Sequence, residues 1–339
     1  TDGIVTTLTS LASGGIKTVN ISGDSDLTIS GFGTQATTIN GSTATGDLNL
    51  TVSTKDQSIT TGSGNDTINF AATLTAADTV DGGANSVIAG GTTVGKDLVT
   101  ASGAIGTVTA SAALKIANVE NIENATGGAA ATYIDAAGIT GAESIAFSST
   151  SGTVKLTNLA AGTAIGLGIG ADEAASTFDL ALADATGTSD TLTLDYADTI
   201  DLGTTNVLKI AGVETLAISA TKESGNATVQ TLTNTNMAAT NIVVTDGVAE
   251  DTLALGTLNA ATTNVDASAY KGILTATTAA TGAVTVSANG AVANSITTGA
   301  GADTITLAGK LGTAINVIAG GAGADVLNAT ADNAATDFT

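Results

Sequence analysis

The chain has 339 residues, is 43% hydrophobic with only 2% aromatics, and carries a formal net charge of −22, with 31 acidic residues against nine basic ones. It lacks a basic face to neutralise phosphates, which argues against nucleic acid as a partner. It also lacks the cationic patch needed for direct attachment to anionic lipid. Cys, His, Pro and Trp are all absent and every basic residue is Lys, so no disulfide framework, His-Glu-x-x-His zinc site or Ser-His-Asp triad can be built from these residues.

From the N-terminus, short runs alternate apolar and small polar residues: Thr18-Val19-Asn20-Ile21, Asp26-Leu27-Thr28-Ile29 and Asp47-Leu48-Asn49-Leu50-Thr51-Val52. Period-two alternation predicts strands with one buried face. The Ala-rich residues 71–77 suit one or two helical turns. The same strand grammar returns at Asp190-Thr191-Leu192-Thr193-Leu194, Asp251-Thr252-Leu253-Ala254-Leu255 and Val284-Thr285-Val286, where the leading Asp residues read as turn caps. The acidic pair Asp172-Glu173 reads either as part of a further cation site or as a solvated face.

Two internal repeats punctuate these runs. Ile39-Asn40-Gly41-Ser42, Ile134-Asp135-Ala136-Ala137 and Val265-Asp266-Ala267-Ser268 share one form, each followed by a Gly four residues on. Val119-Glu120-Asn121-Ile122 and Val213-Glu214-Thr215-Leu216 share another, with the Glu as a rung-turn residue. Variable spacing with constant grammar, and too few aromatics for a usual sandwich core, point to an all-β protein. We expect an elongated right-handed parallel β-solenoid or β-roll of short irregular rungs. Three modules are expected, over residues 1–115, 116–258 and 259–339. The pattern is already running at residue 1 and still running at residue 339, as expected of a fragment of a longer protein.

The pattern that carries chemistry is a glycine–aspartate nonapeptide. Gly320-Gly321-Ala322-Gly323-Ala324-Asp325-Val326-Leu327-Asn328 matches G-G-x-G-x-D-x-U-x throughout, U being a large apolar residue. Two segments match with Thr for the first Gly: one holds Gly299, Gly301 and Asp303, the other Gly62, Gly64 and Asp66. Glycines admit turn conformations that other residues avoid, and Asp supplies a hard anionic oxygen. Calcium takes six to eight oxygen ligands, more than one turn provides. Two turns stacked in a solenoid provide enough, and Asp303 and Asp325 are separated by little more than two nonapeptides. Asp81 and Asp97 are the candidate partners for Asp66.

These nonapeptides resemble those of the RTX family, secreted Gram-negative proteins with calcium-binding β-rolls. Sparse RTX turns among Thr- and Ala-rich strands, without Cys, are similar to surface-layer proteins of that type. The resemblance implies extracellular location, calcium as the bound ion, and folding triggered by calcium outside the cell. It also implies assembly into a two-dimensional lattice tied to lipopolysaccharide through a domain not present here. The expectation is a structural, non-enzymatic protein that self-associates through calcium-bridged contacts and does not insert into membranes. A calcium-dependent adhesin is the alternative.

Overall fold

The computed structural model describes residues 6–11, 15–85, 87–88, 92–93, 96–102, 112–124, 132–147, 153–167, 177–195, 207–210, 212–220, 229–231, 239–247, 252–311 and 315–330. Asp172, Glu173, Asp251 and Gly95 lie outside them. Contacts divide the chain into two units, Thr1–Thr163 and Ala164–Thr339. Each is built from short parallel strands stacked rung on rung, the β-solenoid architecture expected from the sequence.

In the first unit, rungs contribute strands to two main faces, and Thr132–Asp135 and Thr153–Leu159 pair in a third sheet. One face is Thr6–Leu8, Leu27–Ile29, Leu48–Thr51, Thr67–Asn69, Leu98–Ala101, Asn121–Asn124 and Ser144–Phe147, each parallel to the next. Its inward positions form a column, Ile29, Leu50, Ile68, Val99, Ile122 and Ile145, with no member more than 2% exposed. The opposite face stacks Val19, Ile39, Ile59, Val80, Ile116 and Ile139 in register. Branched aliphatic side chains suit this geometry, because each packs on its equivalent one rung above and below. Outward positions are mostly Thr, Asn and Ser, which explains the alternation seen in the sequence.

The second unit repeats the scheme. Leu192, Leu216, Ile242, Val265, Val286, Ile305 and Leu327 are in register along one face. Leu253 pairs with Leu274, and Ala276 with Ile296, on another. The core is therefore thin and nearly free of aromatics. The buried exceptions among the described residues are Phe32, Phe70 and Phe147 in the first unit and Phe178 and Tyr270 in the second.

Rungs vary in length because their corners absorb insertions. Between Asp66 and Asp97 the chain runs 31 residues and includes an antiparallel pair, Val87–Ile88 with Thr92–Thr93. Residues 71–77 do not form the expected helix. Ala71 takes φ 48° and donates its N–H to Asn69 Oδ1 (2.9 Å), while Asp78 caps Thr75 (2.8 Å). The segment has to cross from one face to the other within a few residues, which leaves two turns and no room for a helix. Among the described residues the one helical element is a 3-10 turn, Ala136–Gly138, and no helix is long and apolar enough to cross a membrane.

Candidate metal-binding corner

One position recurs at the corner of every described rung: the residue immediately before the strand that opens the first face. In the first unit its occupants are Asp66, Asp97, Glu120 and Glu143 in successive rungs, and Leu48, the first residue of its own strand, is the register equivalent of Asp66 one rung earlier. In the second they are Asp190, Glu214, Thr240, Thr263, Val284, Asp303 and Asp325. At six of these corners an acidic side chain reaches back one rung and accepts the backbone N–H at the same position, whereas Glu143 pairs with Lys96 and Asp190 takes the Gly187 N–H of its own turn. Asp66 Oδ1 takes the Leu48 N–H at 2.8 Å, Asp97 Oδ1 that of Asp66 at 2.8 Å, and Glu120 Oε2 that of Asp97 at 2.8 Å. Glu214 Oε2 takes the Asp190 N–H at 2.9 Å, Asp303 Oδ1 that of Val284 at 2.8 Å, and Asp325 Oδ1 that of Asp303 at 3.1 Å. Thr240 and Thr263 instead donate their hydroxyls to the preceding rung's carbonyl.

The result is a carboxylate–amide ladder. Each bond satisfies a corner N–H that the sheet ladders leave over, and a charged acceptor makes it stronger than a neutral one. Asp303→Ala strips the Val284 N–H of its acceptor and is expected to cost about 1–3 kcal/mol in urea unfolding. Asp303→Asn, which keeps Oδ1, is expected to cost less.

The glycines close the turns. Gly321 has φ 76°, and a Cβ there would stand 2.6 Å from the Thr298 carbonyl oxygen and closer still to that of Gly299. Gly323 has φ 144°, and its missing Cβ leaves room for the Gly301 carbonyl. Gly299 O accepts the Ala322 N–H at 3.0 Å, and Gly301 N–H donates to Ala322 O at 2.8 Å. Gly321→Ala is therefore expected to destabilise by more than the ~1–2 kcal/mol of a left-handed L-residue, because the clash adds to it; the urea midpoint reads the loss.

The structure places the expected site residues as follows. Asp303 and Asp325 lie in successive rungs, with Gly299, Gly301, Gly321 and Gly323 in the turns that lead to them. Asp303 is 1% exposed, and its Oδ2 is buried without a hydrogen-bond partner. Asp66 and Asp97 also meet, but Asp66 has both oxygens engaged, Oδ2 by the Gly62 N–H at 3.1 Å. Gly64 packs against Gly46 of the preceding rung. Asp97 has Oδ2 buried and unpartnered. Asp81 does not join them: its Oδ1 accepts the Gly83 N–H (3.0 Å) and the Asn118 side-chain amide (2.8 Å) at the end of its own strand. Glu120 and Glu214, expected only as rung-turn residues, occupy full rungs of the ladder. The signal was present in their recurring Val-Glu-x-aliphatic units.

Burial pushes the Asp66 carboxyl above its usual range, against the pull of the Leu48 and Gly62 amides. Asp97 is pushed up to about 7, first by burial and further by the charges of Asp66, Glu120 and Asp47. The sign follows from linkage: the folded chain holds the Asp97 proton more tightly than the unfolded chain, whose carboxyl has the ordinary value of 3.8. The stability this group contributes is complete below pH ~4 and is lost as pH rises through ~7. Urea midpoints of calcium-free wild type should therefore fall between pH 5 and 8 relative to those of Asp97→Asn.

The donor set is all oxygen, as a hard cation requires. Among the described residues no three acidic side chains converge to hold a metal. An ion at these corners would need backbone carbonyls beside one or two carboxylates, a mixture that calcium accepts and that glycine turns offer. The buried, unpartnered Asp303 Oδ2 fits such an ion, with Asp325 and the glycine carbonyls as its remaining protein donors. No family model matches the chain, and no curated protein is significantly similar to it.

Proposed function

We propose that this chain is a secreted structural solenoid, stabilised by calcium, that assembles into a two-dimensional layer on the outer surface of a Gram-negative bacterium. The observation that carries the calcium reading is Asp303 Oδ2. A dry carboxylate oxygen without a donor is costly to keep, and a divalent cation between the rungs of Asp303 and Asp325 offsets that cost. The structural reading follows from where the acidic side chains go. At six corners they are spent on rung-to-rung contacts, and the outward faces carry mainly small hydroxyl and amide groups. Calcium is the structural ion and also bridges copies of the chain. Contact with lipopolysaccharide belongs to a domain outside these residues.

Electron microscopy of the full-length protein with calcium tests this reading. Ordered planar arrays that dissolve on chelation support it. Isolated filaments or monomers under the same conditions overturn the layer and favour a calcium-dependent adhesin.

A further inference from the structure

The corner at Asp97 is not a glycine–aspartate nonapeptide. Thr92-Thr93 stands where the motif has its glycine pair. Yet this is where the first unit leaves a carboxylate oxygen unsatisfied: Asp97 is 1% exposed and its Oδ2 has no hydrogen-bond partner. That oxygen faces a second one. A Cβ on Gly82 would stand 2.5 Å from Asp97 Oδ2 and nearer still to the carbonyl oxygen of Asn118. Gly82 thus leaves a small cradle bounded by two oxygens from successive rungs. Asn118 is held there in the left-handed region (φ 52°), its side-chain amide tied to Asp81 Oδ1 at 2.8 Å.

The surroundings are anionic. Asp66 and Glu120 flank Asp97 along the ladder. Lys96, the adjacent cation, pairs instead with Glu143 at the exposed surface. Asp97 Oδ2 is buried without a donor and has a carbonyl oxygen close by, so something electropositive belongs beside it. The choices are a proton on Oδ2 or a metal ion.

We propose that this cradle is a second cation site for a hard divalent ion. It is held between the rungs of Asp97 and Glu120 by Asp97 Oδ2 and the Asn118 carbonyl, with Gly82 providing the space. The proposal shares with the function above only the choice of calcium as probe, since neither Asp303 nor Asp325 takes part.

Equilibrium dialysis of the full chain against radioactive calcium at pH 8 counts the sites. Asp97→Asn keeps Oδ1 for the Asp66 amide and removes the charge. It is expected to bind one calcium fewer than wild type, Asp303→Asn one fewer, and the double variant two fewer. If Asp97→Asn binds as many ions as wild type, the proposal is overturned. If only Asp303→Asn retains the wild-type count, the Asp303 reading fails and this site stands. Should Asp97→Asn not fold, crystals of the wild-type chain in strontium chloride decide. An anomalous peak about 2.6 Å from Asp97 Oδ2 supports the site, and its absence overturns it.

Discussion

Chelating calcium is expected to lower the unfolding temperature of the second unit by about 5–10 °C for the single site at Asp303. A ligand at a hundredfold excess over its Kd adds about 2.7 kcal/mol to the folded state. For a unit of this size each kcal/mol moves the transition by roughly 2–4 °C. The cause is local. With the ion removed, Asp303 Oδ2 is a buried carboxylate oxygen with no hydrogen-bond donor. The Val284 N–H cap at Oδ1 is unaffected by chelation, so the rung is weakened and not dismantled. Asp303→Asn should melt at the same temperature with and without EGTA, because it keeps the cap and has no charge to neutralise. A wild-type melting curve that does not move in excess EGTA ends the calcium reading, whatever the electron micrographs show.

The largest effect of a single substitution is expected from Ile242→Asp. Ile242 is fully buried and lies between Leu216 and Val265 in the inward column. A carboxylate there has no donor within the column and no route to water. An uncompensated buried charge costs several kcal/mol, a large part of the 5–15 kcal/mol that holds a whole domain. In a stacked solenoid the loss also separates the rungs on either side, which touch only through the damaged one. Circular dichroism should report loss of β-structure, and limited proteolysis should cut near residue 242. The control is its neighbour Asn241, which points outward: Asn241→Thr, the residue already present in register at position 215, should stay within about 0.5 kcal/mol of wild type. Equal damage from both would mean that the inward and outward faces are assigned wrongly.

The solenoid was legible because its strands obey a strict local rule. Asp47-Leu48-Asn49-Leu50 shows its buried face by alternation alone, and the parallel stacking follows from repeats too short to fold by themselves. The Ile39-Asn40-Gly41-Ser42 unit was legible as a repeat but not for what it does. In all three copies the Asn or Asp side chain accepts the N–H two residues on: Ser42 at 3.1 Å, Ala137 at 3.0 Å and Ser268 at 3.1 Å. Each is an Asx turn, inside the strand Thr38–Ala44 in the first copy and at a strand's C-terminal end in the other two, and the three strands lie in different sheets. The repeat therefore marks local turn chemistry and not a recurring module.

The ladder was hidden for the opposite reason. Its bonds join residues 18, 31, 23, 24, 19 and 22 positions apart. No fixed period exposes them, and Asp and Glu interchange because the longer side chain makes up a slightly different corner. Stacking of Asp303 on Asp325 was visible because two nonapeptides fit between them. The pairing of Asp66 with Asp97, and not with Asp81, depends on the fold of the corner between residues 82 and 97. Ala71 shows the limit of propensity: a run of good helix formers became two turns because the strands on either side dictate where the chain must go.

The ladder has a direction, and that bears on how such a chain can change length over evolution. At six corners the N–H is donated forward to the acidic residue that opens the following rung, at separations from 18 to 31 residues along the chain. Any two such corners are therefore interchangeable as splice points. A recombination that removes or duplicates the stretch between two such acidic corners leaves their amides with acceptors and the inward aliphatics in register. Rung number is in this sense a free variable under selection, while the residue before each strand is not.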